Sequence, residues 1–106
     1  MSNEQIKLLT KMKDLIRNGK RRFAKRKDRD IVEELDIIGI TQNRAWYEIL
    51  LLNKNHYFID NKPSYKQTDA LIFKKDINGY LVYIKLKLEK RNELETVCLS
   101  FHRDHQ

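Results

Sequence analysis

The sequence feature that most constrains the fold is the dipeptide Asn78-Gly79, which separates two runs of alternating polarity. The runs are Asp69–Ile77 and Tyr80–Glu89, and their period of two residues is typical of β-strands. Asn-Gly favours a type I′ turn, because both central residues of that turn need a positive φ. The sequence therefore predicts a β-hairpin with a two-residue loop.

A two-residue loop fixes which residues of the hairpin face each other. The largely apolar face is predicted to pair Ile77 with Tyr80, Lys75 with Val82, Phe73 with Ile84 and Leu71 with Leu86. The other face is predicted to pair Lys74 with Tyr83, Ile72 with Lys85 and Ala70 with Lys87.

A third alternating run, Glu95–His102, predicts a second hairpin with a four-residue loop at Arg91–Leu94. The predicted register sets Leu88 opposite Val97, Lys87 opposite Cys98, Lys85 opposite Ser100, Ile84 opposite Phe101 and Tyr83 opposite His102. Thr96 and Cys98 would then share one face of this strand with Ser100 and His102. We call the resulting surface the polar face, and it consists of Lys74, Tyr83, Lys85, Lys87, Ser100 and His102.

The N-terminal half of the chain carries helical signals. Apolar spacing and capping residues predict helices at Asn3–Asn18, Ile31–Ile38 and Gln42–Leu52, and His56–Ile59 is a candidate edge strand. Helices followed by strands indicate an α+β fold, with the N-terminal helices packed on the apolar face of a C-terminal antiparallel sheet. At this length, residues 1–106 are expected to form a single domain.

The formal net charge of +7 favours a polyanionic partner such as nucleic acid. Seven of the ten residues in Lys20–Arg29 are Lys or Arg, which predicts a phosphate-binding arm; a solvated loop or a surface for an acidic protein are the alternatives. The single cysteine, Cys98, excludes a disulfide framework, and a small strand residue is favoured over a catalytic thiol. Without an apolar leader or spanning segment, we expect a cytoplasmic protein.

The polar face suits metal-free cleavage of RNA, which needs proton transfer at the 2′-hydroxyl and at the 5′-oxygen. His102 can transfer protons near neutral pH, because imidazole has an unperturbed pKa of about 6.5. Tyr83 needs neighbouring cations to act as a base, and Lys74 and Lys85 are placed to supply them and to stabilise the phosphate. No metal-ligand motif stands out, so neither a metal nor another cofactor is expected.

Several short motifs in order resemble the MqsR family, toxins of bacterial type II toxin–antitoxin systems. The resemblance runs from about Leu9 to His102 and rests on Met12-Lys13-x-Leu15-Ile16-x-x-Gly19, Leu35 with Ile38-Gly39-Ile40, Ile49-Leu50-x-Leu52, Val82-Tyr83-Ile84-Lys85-Leu86 and Val97-Cys98-Leu99-Ser100-Phe101-His102. It implies a RelE-like toxin fold with helices on a curved antiparallel sheet. It further implies metal-independent, ribosome-independent cleavage of mRNA, typically near GC-containing sites, and a cognate antitoxin that often has zinc-binding and helix-turn-helix domains.

The resemblance also implies roles for single residues. The family's strand tyrosine matches Tyr83, and His102 stands where the family often has a lysine closing the last strand. The family's lysine after the third helix falls near Ile59, with Lys62 as its candidate substitute. The family's glutamine in the first hairpin strand falls near Ile72, with Lys74 or Gln67 as candidates.

The sequence thus predicts a toxin-like endoribonuclease with Tyr83, His102, Lys85 and Lys74 as catalytic residues. Its predicted RNA-binding residues are Lys20, Arg21, Arg22, Lys25, Arg26, Lys62, Gln67 and Lys87. One alternative is a non-catalytic basic domain that binds RNA or a protein. Another is a toxin-like protein that blocks translation by occupying a ribosomal site.

Overall fold

A computed structural model describes residues 1–25, 30–59 and 70–104 of the chain, so Arg26, Lys62 and Gln67 lie outside the described residues. The described parts form three helices and four strands in an α+β arrangement. In chain order these are α1 (Asn3–Arg17), β1 (Arg21–Phe23), α2 (Ile31–Ile38), α3 (Gln42–Leu50), β2 (Ala70–Ile77), β3 (Tyr80–Lys90) and β4 (Leu94–Arg103). The strand order across the sheet is β1-β4-β3-β2.

Each helix begins where a side chain caps its first free N–H groups. Ser2 and Gln5 form the predicted capping box of α1, Asp30 accepts from the backbone N–H of Val32, and Thr41 accepts from that of Arg44. The α2 bounds match the prediction, whereas α1 and α3 end one and two residues earlier than predicted. The candidate edge strand at His56–Ile59 is reduced to a single bridge between Tyr57 and Phe73, after a 3₁₀ turn at Lys54–His56.

The first hairpin has the predicted loop and register. Asn78 and Gly79 have φ values of 51° and 85°, and β2 pairs with β3 from Ile77↔Tyr80 to Ala70↔Lys87 as expected. The Asn78 side-chain amide also donates to the carbonyl oxygen of Ile38 at 3.0 Å. The turn is therefore fixed both by its backbone and by a contact with the end of α2.

Replacing Gly79 by alanine is expected to destabilise the fold by about 1–2 kcal/mol, the cost of a left-handed backbone for an L-residue. An added Cβ would meet no heavy atom within 4 Å, so the cost comes from the backbone conformation rather than from a clash. Chemical denaturation measures the change. Gly79→Asn is the matched control, because Asn tolerates the left-handed region; equal stability of the alanine variant and the wild type would contradict the expectation.

The second hairpin departs from the predicted register beyond Ser100. Ile84, Lys85 and Tyr83 pair with the expected residues, but Leu86 pairs with Cys98, and Lys87 pairs with Val97 instead of Cys98. The register shifts by one residue because the loop closes at the Lys90↔Leu94 pair and Leu99 is left as a bulge. The predicted pairs of Leu88 with Val97 and of Lys87 with Cys98 are therefore wrong.

The bulge moves Thr96 and Cys98 from the polar face into the core. The Thr96 hydroxyl donates to the carbonyl oxygen of Met12 in α1 at 2.9 Å, so the buried oxygen is satisfied. Cys98 belongs to the main hydrophobic cluster. The Thr96 side chain thus links β4 to α1, and the Cys98 side chain is part of the core.

The sheet is mixed and not wholly antiparallel. β1 comes from the basic segment predicted to be an arm, and it pairs in parallel with β4 through Arg21↔Thr96, Arg22↔Val97 and Phe23↔Cys98. The three C-terminal strands are antiparallel to one another, as expected. The sheet was predicted to contain only C-terminal strands. This prediction is wrong, because β1 forms the edge of the sheet next to β4.

The core lies between the helices and the predicted apolar face of the sheet. Its fully buried side chains come from the three helices and from β2, β3 and β4, and Phe73, Ile84 and Val82 lie at its sheet side with no solvent exposure. Phe23 of β1 packs on Trp46 with ring centroids 4.6 Å apart. Trp46 is thus a core residue, and the opposite side of β2, β3 and β4 carries the polar face.

Candidate functional site on the sheet

Three of the four predicted catalytic residues form one row across the sheet. Lys74 of β2 pairs with Tyr83 of β3, and Tyr83 pairs with His102 of β4. Directly paired residues point to the same side of a sheet, so the three side chains are neighbours. The row exists because Val82 and Ile84, on either side of Tyr83, are buried in the core and turn Tyr83 to the polar face.

The rings of Tyr83 and His102 are stacked. Their centroids are 5.1 Å apart and their planes differ by 19°. Both residues are partly buried. A phenol and an imidazole this close together can both reach one bound group, and proton transfer requires each to lie within hydrogen-bond distance of it.

A backbone contact orients the His102 ring. Its Nδ1 lies 2.8 Å from the carbonyl oxygen of Arg103. A carbonyl oxygen only accepts hydrogen bonds, so Nδ1 carries the proton in this contact. The lone pair of the neutral ring is then on Nε2, the atom that would take or return a proton.

The ammonium group of Lys74 is held by an acid. Lys74 Nζ lies 2.8 Å from Asp104 Oδ2 and 3.9 Å from the centroid of the Phe58 ring. The contact with Asp104 is a charge pair, since no hydrogen bond of good geometry reaches this buried oxygen from the described residues. The positive charge of Lys74 therefore lies next to Tyr83 and is paired with the carboxylate of Asp104.

Lys85 and Lys87 continue the polar face along β3. Lys85 pairs with Ile72 on one side and Ser100 on the other, and Lys87 pairs with Ala70 and Val97. Both lysines are partly buried. The carbonyl oxygen of Ser100 accepts from the Cys98 thiol at 3.2 Å, which ties this part of β4 to the core. Lys85 is thus the lysine next to Tyr83 on the same strand and face.

Much of the basic segment is already paired within the fold. The Arg22 guanidinium contacts Glu95 at 2.6 Å and Glu89 at 3.3 Å, bridging two acids that face each other across β3 and β4. Lys20 lies 3.5 Å from Glu93, and Arg21 lies 5.5 Å from the Trp46 ring. Lys25 is exposed. The charges of Lys20 and Arg22 therefore link the start of this segment to the β3–β4 hairpin.

Sequence reasoning missed two acids beside the row, Asp104 in its contact with Lys74 and Glu34. Glu34 of α2 accepts from the backbone N–H of Arg103 at 2.7 Å and from its Nε at 3.0 Å. Burial acts to raise the pKa of Glu34, but these hydrogen bonds and the charges of Arg103 and His102 hold that pKa below its usual range. Glu34 also lines a pocket of about 320 Å³ between α2 and β4. No spacing signal linked a residue of α2 to one that lies 69 positions later.

The lowered pKa of Glu34 predicts an acid-sensitive contribution to stability. A carboxyl whose pKa is lower in the folded state stabilises the fold above its unfolded pKa, and the gain is lost as pH falls through the folded pKa. We therefore expect the melting temperature of the wild type to exceed that of Glu34→Gln near neutral pH. The difference should shrink towards about pH 3, below the usual glutamate range. Thermal melts across this range test it, and a constant difference would contradict it.

Further features of the described residues concern Cys98, possible metal ligands and possible membrane-spanning helices. Burial raises the pKa of the Cys98 thiol, which agrees with a core residue and not with a reactive thiolate. The described parts of the chain contain no group of three or more His, Cys, Asp or Glu side chains that could hold a metal ion. None of the described helices is long and apolar enough to cross a membrane.

Comparisons of the chain with protein-family models, with curated proteins and with solved structures found no match.

Proposed function

We propose that this protein is a metal-independent endoribonuclease that cleaves mRNA as the toxin of a type II toxin–antitoxin system. The observation that carries the proposal is the stacked pair of Tyr83 and His102, with rings 5.1 Å apart on the polar face. The net charge of +7 and the resemblance to the MqsR family support RNA as the substrate. We also propose the finer RelE-like fold, a cytoplasmic location and a cognate antitoxin partner on that resemblance.

The proposed reaction is attack of a 2′-hydroxyl on the adjacent phosphorus. The new bond joins the 2′-oxygen to phosphorus, the bond from phosphorus to the 5′-oxygen breaks, and the products end in a 2′,3′-cyclic phosphate and a 5′-hydroxyl. Tyr83 and His102 share the removal of the proton from the 2′-hydroxyl and the delivery of a proton to the 5′-oxygen. His102 takes part through the lone pair of its Nε2 atom. The contact of Nδ1 with the carbonyl oxygen of Arg103 favours this form of the ring.

The lysines of the polar face differ in the roles that we assign to them. Lys85 holds the scissile phosphate, because it follows Tyr83 by two positions and shares its face. Lys74 is proposed to act beside Tyr83 with its positive charge partly offset, because the Asp104 carboxylate lies 2.8 Å from its ammonium. Lys87 and Lys25 are proposed to contact flanking phosphates, whereas Arg22 has a structural role in its contacts with Glu89 and Glu95.

Induced expression in a growing bacterial culture tests the proposed toxin role. We expect growth arrest by the wild type together with shortened mRNA, and neither effect from His102→Ala produced at the same level. RNA extracted from the cultures is mapped at its new 5′ ends. Growth arrest with intact mRNA would contradict the proposal and favour inhibition at the ribosome.

A second candidate function is RNA binding without cleavage. The observation that favours it is the same stack of Tyr83 and His102, because aromatic rings beside lysines form a platform on which bases can stack. Under this alternative, Tyr83→Phe keeps its ring and retains binding, whereas charge reversal at Lys25 or Lys87 weakens it. A salt-sensitive gel shift of RNA that stays intact would support this alternative.

A further inference from the structure

The contacts around His102 extend to a helix that the proposed reaction does not use. Glu34 lies on α2, and a single oxygen of its carboxylate accepts two hydrogen bonds from Arg103. One donor is the Arg103 backbone N–H at 2.7 Å, and the other is its Nε at 3.0 Å. The carbonyl oxygen of the same residue lies 2.8 Å from Nδ1 of His102. Arg103 therefore contacts α2 through its backbone N–H and its Nε, and it contacts the imidazole through its carbonyl oxygen.

We propose that Glu34 is a positioning residue that fixes the main chain of Arg103 and thereby sets the orientation and tautomer of His102. Arg103 is the last residue of β4 and pairs with β3, and the Glu34 contact is a further restraint on this strand end. Glu34 holds the backbone N–H of Arg103 and its guanidinium together. The next backbone N–H, of Asp104, donates to the carbonyl oxygen of Leu81 at 2.7 Å, so α2 and β3 together set the direction of the Arg103 carbonyl. That carbonyl holds the proton of His102 on Nδ1.

The contact is suited to positioning because it is partly shielded and charged. The Glu34 side chain is 16% exposed and that of Arg103 is 29% exposed, so water competes weakly for the carboxylate. The guanidinium of Arg103 also lies 5.9 Å from the centroid of the Tyr80 ring, which confines it on a second side. The Glu34 carboxylate thus contacts a guanidinium that is restrained on two sides, by Glu34 itself and by the Tyr80 ring.

The tautomer itself can be measured without any assumption about activity. Two-bond ¹⁵N–¹H correlation spectra of protein labelled at histidine distinguish a neutral ring protonated at Nδ1 from one protonated at Nε2. Spectra are recorded at about pH 8, above the usual imidazole titration. Loss of signals in His102→Ala assigns the ring, since the chain has three histidines.

The wild type is expected to show the Nδ1–H form of His102. Glu34→Gln keeps an oxygen that accepts from Arg103 and should keep this form, whereas Glu34→Ala should shift the ring towards the Nε2–H form. Glu33→Ala is the matched control, because Glu33 is an exposed acid on the same helix. Glu34→Asp, which retains the charge but is one methylene shorter, should behave like Glu34→Ala and serves if the alanine variant does not fold.

An Nε2–H form in the wild type would overturn the proposal. So would an unchanged Nδ1–H form in folded Glu34→Ala or Glu34→Asp. The consequence for catalysis rests on the proposed ribonuclease activity: cleavage should fall at least about tenfold in Glu34→Ala and stay near the wild-type rate in Glu34→Gln. A tautomer shift in variants of a protein that never cleaves RNA would uphold the positioning role and overturn the proposed function.

Discussion

His102→Ala is expected to lower the rate of RNA cleavage by at least about 100-fold, because it removes one of the two groups that transfer protons. Tyr83→Phe is expected to lower the rate by a similar factor, although it deletes only one oxygen and retains the ring that stacks on His102. Single-turnover cleavage of a defined RNA by each variant measures the loss. Both variants should still bind RNA, since the lysines of the polar face remain.

The chain offers a matched control for each of these variants. Tyr80→Phe makes the same chemical change at the hairpin turn, and His56→Ala removes an imidazole that caps the 3₁₀ turn through the backbone N–H of Asn53. Neither control should change the cleavage rate by more than a small factor. Near wild-type activity in both His102→Ala and Tyr83→Phe would show that the stacked pair does not carry the chemistry.

Phe73→Ala is expected to reduce the free energy of unfolding by about 3–5 kcal/mol, the range for deletion of a buried aromatic ring. Phe73 has no solvent exposure, pairs with Ile84 and contacts the Tyr57 ring edge-to-face at 5.9 Å between centroids. Its loss leaves a cavity directly under the strand that carries Lys74. Urea or guanidinium denaturation measures the change.

Phe58→Ala is the matched control for Phe73→Ala. Phe58 is 36% exposed and contacts the Lys74 ammonium with its ring face, so its removal should cost about 1 kcal/mol or less. Equal losses for the two variants would contradict the description of Phe73 as a central core residue. A large loss of cleavage in Phe58→Ala with little loss of stability would instead link the Phe58 ring to the placement of Lys74.

Local chemistry was enough to predict the first hairpin and most of the helix bounds. Asn78-Gly79 set the turn, and a turn of known length sets the register of every pair from Ile77↔Tyr80 onward. The pair of Lys74 and Tyr83 followed from that register, and the pair of Tyr83 and His102 followed from the alternating polarity of the second hairpin. The part of the candidate site that lies on regular strands was therefore predictable from the sequence.

The errors arise where contacts between distant segments decide the structure. The Leu99 bulge accompanies the burial of Thr96 and Cys98, and Thr96 contacts α1, which the alternation of polarity within one strand does not encode. β1 was missed because a run of lysines and arginines resembles a solvated loop until Glu89 and Glu95 are found beside Arg22. The contact between Glu34 and Arg103 has the same origin, since it joins α2 to the end of β4.

The most direct test of the central claim is incubation of purified protein with a defined naked RNA in the presence of EDTA, with Tyr83→Phe alongside. We expect discrete fragments that end in 2′,3′-cyclic phosphate with the wild type and intact RNA with the variant. Intact RNA with both proteins, or equal cleavage by both, would contradict a metal-independent ribonuclease centred on Tyr83 and His102.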